Sequence, residues 1–405
     1  MVPLLDLGLR RVPAPPARPG FDLLPHRTCS RDPENHVNDG VPVGVFRKYV
    51  LPGLIFQSVV VAGGYGTGRE LVEFFLSRGP VGGLLAMGLS TVIWSLVAAV
   101  SFELARTFRA FDYRSFFRRL LGRAWVLFDL TQVTLTLLVS AVIAAAAGEI
   151  FAETFALPYE LGVLTVVTAI GYLVFRGSET IERVFAAWSG VLYIVFIVLF
   201  VWSFREFGGE ILAAFSSHRD TEGWVVGGLS YAGYNVSVVP VILYVIRHHE
   251  SRREAVGAGL LAGPIAIFPG LLFFVALTGL YPEVLDRAVP SNLLLESLGS
   301  RAFQVTYQVV LFGTLIETGA GMIHAINDRI AVAYEERRRS LPRSARPLFA
   351  LLLLGTAALL ARFGLIELIS KGYGSLTWVY LAVFVIPVLT RGVRLLRLSG
   401  PGPSG

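Results

Sequence analysis

The sequence predicts an all-α polytopic membrane protein. About ten transmembrane helices form a five-plus-five inverted repeat, with the first and sixth helices interrupted. Three observations predict the membrane class, and the paired interruptions described below predict the repeat. The 405 residues are 54% hydrophobic and only 16% charged, with a mean hydropathy of +0.64, whereas soluble domains are about a quarter charged. Apolar runs of roughly 17 residues or more recur along the chain, as membrane helices require. The basic residues then collect on alternate loops between those runs.

The elements follow in order. Residues 1–45 are rich in Pro, Arg and Asp and have no sustained apolar period. They read as a disordered cytoplasmic tail without the apolar core of a signal peptide, so the first helix would direct insertion. Ten spans come next: 49–78, 82–105, 124–154, 160–175, 184–204, 224–247, 255–281, 301–332, 346–361 and 371–390. The first, third and eighth are long enough to tilt or break. A re-entrant turn at Lys371 to Gly374 is an alternative reading of the boundary before the last span. The first repeat is 46–204, an external linker 205–223, the second repeat 224–391 and a C-terminal tail 392–405. With the N-terminus inside, cytoplasmic segments hold 27 Lys or Arg and external ones 7, which predicts both termini in the cytoplasm of a bacterial or archaeal cell.

Composition also excludes. The single cysteine, Cys29, permits no internal disulfide framework or multi-cysteine metal site. The net charge of +6 is membrane orientation rather than a nucleic-acid footprint. No Walker-type phosphate loop, HExxH or GxSxG occurs, which weighs against ATP coupling and against a membrane enzyme. No cofactor is expected, and the expected partners are a small-molecule substrate and the bilayer.

Two interrupted segments carry the functional reading. The first span contains Gly63-Gly64-Tyr65-Gly66-Thr67-Gly68, and the sixth Ser230-Tyr231-Ala232-Gly233-Tyr234-Asn235 with Pro240 beyond. Glycine costs about 1 kcal/mol relative to alanine in a helix, so four in six residues favour unwinding, with close helix packing the alternative. Unwound backbone in a membrane must face protein or a wet cavity. A half-helix beginning at Gly66-Thr67-Gly68 would offer free N–H groups to a carboxylate. Tyr231, Tyr234 and Asn235 would shape the pocket, Gly233 would let the backbone open, and Pro240 removes a helical hydrogen bond. Paired interruptions of this kind mark binding sites in inverted-repeat transporters.

Ionisable residues lie beside these breaks. Arg69, Glu70 and Glu73 occupy one turn, and Arg69 and Glu73 are spaced to pair. Thr314, Glu317, Gly321, His324 and Asp328 share one face of the eighth span. A lone carboxylate at mid-span needs a cation, a positive partner or a proton, so Glu317 is the candidate for ion coupling and Arg69 a candidate partner. Asp129, Gln132, Thr136 and Ser140 share a face of the third span. Glu149 and Glu153 belong to a solvated mouth, and Glu103 with Arg106 forms an interfacial pair.

The segments Gly63 to Glu70, Tyr231 to Asn235 with Pro240, and Glu317-Thr318-Gly319-Ala320-Gly321 together resemble the YkvI-like bacterial membrane proteins. That family resembles distant members of the amino acid–polyamine–organocation superfamily, with the LeuT-type fold. The resemblance spans about residues 45–390. It implies a substrate between the broken first and sixth helices, with Gly66-Thr67-Gly68 at a carboxylate. It also implies an ion near Glu317 and Thr318, where a carboxylate replaces one hydroxyl of sodium-coupled relatives.

The expectation is therefore a secondary active transporter of a small organic solute, an amino acid or related carboxylate. Coupling would be to sodium or protons, by alternating access. The substrate-binding residues would be Gly64, Tyr65, Gly66, Thr67, Gly68, Arg69, Tyr231, Tyr234 and Asn235. Ion coupling would fall to Glu317, Thr318, Thr314 and Glu70, with sodium at Glu317 and Thr318 the only metal considered. The alternative is a receptor or regulator built on a transporter fold, which binds its ligand without flux.

Overall fold

A computed structural model describes residues 44–61, 63–176, 178–336 and 345–399. Nearly all of the expected N-terminal tail and the last six residues of the chain lie outside the described residues. Among the described residues every regular element is helical.

The first span is broken twice. A π-turn at Phe46–Val50 leads into α1 (Leu51–Val60), followed by α2 (Gly63–Gly66) and α3 (Arg69–Phe74). The long helix α4 (Pro80–Phe108) starts on Pro80, which needs no N–H partner at a helix start. A short amphipathic helix, α5 (Tyr113–Leu121), is capped by Asp112, whose carboxylate accepts from the Ser115 N–H at 2.9 Å. Next come α6 (Trp125–Phe155), α7 (Tyr159–Arg176) and α8 (Ser178–Glu206). The helix α9 (Gly208–Ser217) turns 71° away from α8 and fills the stretch expected to be a linker. Its Gly208-Gly209 start looks like loop in sequence, but the following apolar residues bury Ile211 and Ala214.

The second half opens with α10 (Trp224–Asn235), which tightens into a 3₁₀ helix over Val236–His248. Pro240 lies inside that run and removes one donor. Helix α11 (Arg252–Thr278) begins with a capping box between Ser251 and Glu254. A short helix α12 (Pro290–Ser297) precedes α13 (Arg301–Glu336) and α14 (Ala345–Leu360), and α15 (Leu365–Ser399) ends the described chain. Helix α15 runs through Lys371 to Gly374 with π-turns, which corrects the re-entrant reading. Helices α4, α10 with its continuation, α11 and α15, and the run from α5 through α6, are long and apolar enough to cross a membrane.

Small residues set the closest packing. A Cβ on Gly263 of α11 would lie 2.3 Å from Ser95 Oγ of α4, and one on Gly259 would lie 2.3 Å from the Ala99 nitrogen. Ser95 Oγ donates to the Leu260 carbonyl at 2.9 Å across that contact. Helix association inside a membrane depends on such close approach and on interhelical hydrogen bonds. Helix α10 is held from two sides in the same way. Ser90 Oγ and Trp94 Nε1 of α4 donate to the Gly228 and Ala232 carbonyls, and Thr377 Oγ1 of α15 donates to the Ser230 carbonyl.

Candidate functional site

The break in the first span is built by Gly68, whose φ of +79° places it in the left-handed region. Its N–H donates to the Tyr65 carbonyl at 2.9 Å, closing a turn before α3 starts. The Arg69 N–H donates to Thr67 Oγ1 at 3.2 Å. The carbonyls that the break releases are taken by neighbours. Gly66 O accepts from the Tyr307 hydroxyl of α13 at 2.7 Å, and Thr67 O accepts from the Ser291 N–H of α12 at 2.9 Å. This is how unwound backbone survives in a membrane: other helices satisfy it.

The segment is closed over in this arrangement. A Cβ on Gly68 would meet Leu277, Pro290 and Phe273 at 3.1 to 3.4 Å, and one on Gly66 would meet Leu311 at 2.4 Å. The Gly68 and Arg69 N–H groups, expected to be free for a carboxylate, already have acceptors. Gly64 lies inside the four-residue helix α2, and Tyr65 is buried with its ring against Phe273.

Glu70 lies two residues past the break and is 6% exposed. Its carboxylate accepts from the Tyr234 hydroxyl of α10 at 2.5 Å. Tyr234 is the penultimate residue before α10 changes its winding, and its ring stacks on Tyr373 of α15 at 4.5 Å. Tyr231 packs against Phe75 at 4.6 Å and Trp94 at 5.5 Å. The Asn235 amide donates back to the Tyr231 carbonyl at 3.0 Å, one turn earlier on its own helix.

Arg69 pairs with Glu73 and makes no ion pair with Glu317, which corrects the pairing considered from sequence. Its guanidinium donates to Glu73 at 2.6 Å, as the i,i+4 spacing suggested, and to the carbonyls of Leu285 and Arg287 at 2.7 and 3.1 Å. It thus fastens the turn after α11 to α3. Glu317 is buried on α13, where Thr314 Oγ1 donates to the Val310 carbonyl at 3.0 Å and Thr318 is half-buried. His324 is half-buried further along, and the Asp328 side chain lies outside the described residues. On α6, Gln132 accepts from the Tyr380 hydroxyl at 3.0 Å. Glu103 and Arg106 pair at 2.7 Å. Among the described residues no group of three or more His, Cys, Asp or Glu could hold a metal ion.

Three participants escaped the sequence reading. Tyr307 lies one heptad before Thr314, so the stripe on the eighth span could have been extended back to it. Tyr373 carries no local signal, because its stacking on Tyr234 spans the whole second half. Asn292 of α12 sits in a loop by sequence, yet its carbonyl oxygen accepts from Thr154, Gln304 and Gln308 at 3.2, 2.8 and 3.2 Å.

No family model matches the chain. It is 24% identical over 334 residues to the uncharacterized membrane protein YkvI of Bacillus subtilis (strain 168), covering 81% of this chain and 92% of that one. It superposes on MhsT, solved in complex with L-phenylalanine, with a TM-score of 0.55, 15% identity, and coverage of 88% and 99%. The chain is similar to YkvI and has a LeuT-type fold. A sodium-coupled sialic acid symporter is also similar, with a TM-score of 0.45, 12% identity, and coverage of 86% and 88%. The chain is a helical membrane protein whose first span is broken at Gly68 and whose sixth passes from α to 3₁₀ winding after Asn235, and in that sense both are interrupted.

Proposed function

We propose that this YkvI-like chain is a secondary active transporter of a small organic solute, working by alternating access in a cytoplasmic membrane with both termini inside. One observation carries the reading. Glu70, just past the break in the first span, is hydrogen-bonded to Tyr234, just before the change of winding in the sixth. Two interrupted helices meeting at their interruptions form the element that inverted-repeat transporters rearrange around a solute.

The solute is an amino acid or related carboxylate. Gly64 to Gly68 and Arg69 provide the polar end of its site, and Tyr231, Tyr234 and Asn235 its walls. Support comes from the left-handed turn at Gly68 and from the aromatic residues crowded on α10. The coupling ion is sodium or a proton, with Glu317, Thr318, Thr314 and Glu70 as the groups that would hold it. The domain division at 46–204 and 224–391 belongs to the same proposal.

A thermal-shift screen on purified protein tests it. Amino acids, organic acids, amines and nucleobases are each added with and without sodium at two pH values. A ligand that binds only the folded state raises the melting temperature by mass action. The proposal expects a carboxylated solute whose shift changes with sodium or pH. No shift from any carboxylated solute would remove the assignment of Gly66 to Gly68.

A further inference from the structure

We infer that Glu70 is the protonation site of this protein, and that the proton it holds lets the two interrupted spans close on each other. The inference deepens the transporter reading and rests on it, because it makes the proton a coupling ion.

Glu70 is 6% exposed, and one of its oxygens accepts the Tyr234 hydroxyl. The other members of that wall are rings: Phe74 lies 5.8 Å from Tyr234 and 6.0 Å from Tyr231, and Tyr373 stacks on Tyr234. One neutral hydrogen bond does not offset the cost of removing a full negative charge from water.

The charges nearby are committed elsewhere. Arg69, the adjacent residue, gives its guanidinium to Glu73 and to the Leu285 and Arg287 carbonyls. The elements packed on α3 offer these ionisable groups: Tyr65 on α2, Tyr231 and Tyr234 on α10, Tyr373 on α15, Arg78 in the turn that follows α3, and the exposed Asp286 in the turn after α11. Lys371 of α15 is exposed and paired with Glu367, and Glu283 beyond α11 is exposed and paired with Arg287. Helix α11 turns Phe273, Phe274 and Leu277 inward and has no ionisable residue past Glu254. The shell is therefore phenolic and phenyl. An alkali or alkaline-earth cation would need several oxygen ligands, whereas a proton needs only the carboxylate itself.

The step is a simple protonation. Glu70 carboxylate takes one proton from water to become the neutral acid, and the closed contact with Tyr234 forms around that acid. When α3 and α10 part, water reaches the carboxyl and the proton leaves as it came, with no other bond made or broken.

The test needs no knowledge of the solute. Infrared pH-difference spectra of the full-length protein in phosphatidylcholine liposomes report the stretch of protonated carboxyls. The native protein, Glu70→Gln, Glu317→Gln and Tyr234→Phe are compared. The expected result is a protonated-carboxyl band at neutral pH that disappears in Glu70→Gln, survives in Glu317→Gln and changes frequency in Tyr234→Phe. A Glu70→Gln spectrum that superimposes on the native one overturns the inference. If Glu70→Gln does not fold, an unshifted band in Tyr234→Phe overturns it equally. Solute uptake driven by sodium with no Glu70 band would sink the proton and leave the transporter reading standing. A Glu70 band in a protein that moves no solute would do the reverse.

Discussion

The Tyr234 hydroxyl donates to the Glu70 carboxylate across 2.5 Å, joining two helices that each lose regular winding within two residues of that bond. The residues are 164 apart in sequence. Removing the hydroxyl leaves a buried acceptor without its donor, so Tyr234→Phe is expected to lower stability by about 1–3 kcal/mol. In a Glu70→Gln background the same change costs less, because the two residues share one interaction. Thermal melting of the four proteins of that cycle measures the coupling.

Gly68 and Gly66 are both required, for different reasons. Gly68→Ala forces a side chain into the left-handed region, at about 1–2 kcal/mol, and against Pro290 at 3.2 Å. Gly66→Ala meets the end of the Leu311 side chain at 2.4 Å. Gly66→Ala is expected to cost less in a Leu311→Ala background than in the native protein, whereas Gly68→Ala costs the same in both. Melting temperatures of the single and double variants separate strain from crowding.

Arg69 holds a turn in place. Its guanidinium satisfies the Leu285 and Arg287 carbonyls while paired with Glu73. Hydrogen bonds to a charged group contribute about 1.5–3 kcal/mol, and 1.4 kcal/mol is a factor of ten. Arg69→Met is expected to raise amide exchange across residues 283–290 about tenfold or more, with α7 unchanged. Hydrogen-exchange mass spectrometry reads this directly.

At the opposite end of the bundle Lys48 Nζ pairs with Glu254 at 2.7 Å, and the His249 ring meets the Lys48 carbonyl at 2.8 Å. These contacts tie the start of the first span to the turn before α11. The ion pair is partly exposed, so solvent screens it. Glu254→Gln should speed amide exchange across residues 46–55 by about twofold to fivefold. No change there would show that other contacts hold this end closed.

Helical periodicity and glycine placement made much of the architecture readable. The Gly63 to Gly68 cluster pointed to the broken first span because four glycines in six residues weaken a helix by about 1 kcal/mol each. The Arg69–Glu73 and Glu103–Arg106 pairs were legible because one helical turn brings them together. What escaped depends on helix rotation and on distant partners. Glu317 looked like a lone charge that Arg69 could answer, yet α3 turns Arg69 toward the Leu285 and Arg287 carbonyls. Asn292 gathers Thr154 from α6 and Gln304 and Gln308 from α13, and no local pattern encodes such a meeting. Helix α9 was hidden by its two leading glycines.

Glu317 offers a separate check on coupling. It is buried on α13 beside Thr314 and Thr318. If it holds a coupling ion, Glu317→Gln abolishes the sodium or pH dependence of ligand-induced melting shifts and leaves binding itself within about tenfold, or 1.4 kcal/mol. Unchanged ion dependence would remove Glu317 from the coupling machinery.

The central claim is that the two interrupted spans move a solute rather than merely hold one. Uptake of the best thermal-shift ligand into liposomes, with and without an imposed proton or sodium gradient, tests it most directly. The account predicts accumulation above the external concentration that requires the gradient and is lost in Gly66→Leu. Binding with no uptake under either gradient would contradict it and identify a ligand-sensing protein on a transporter fold.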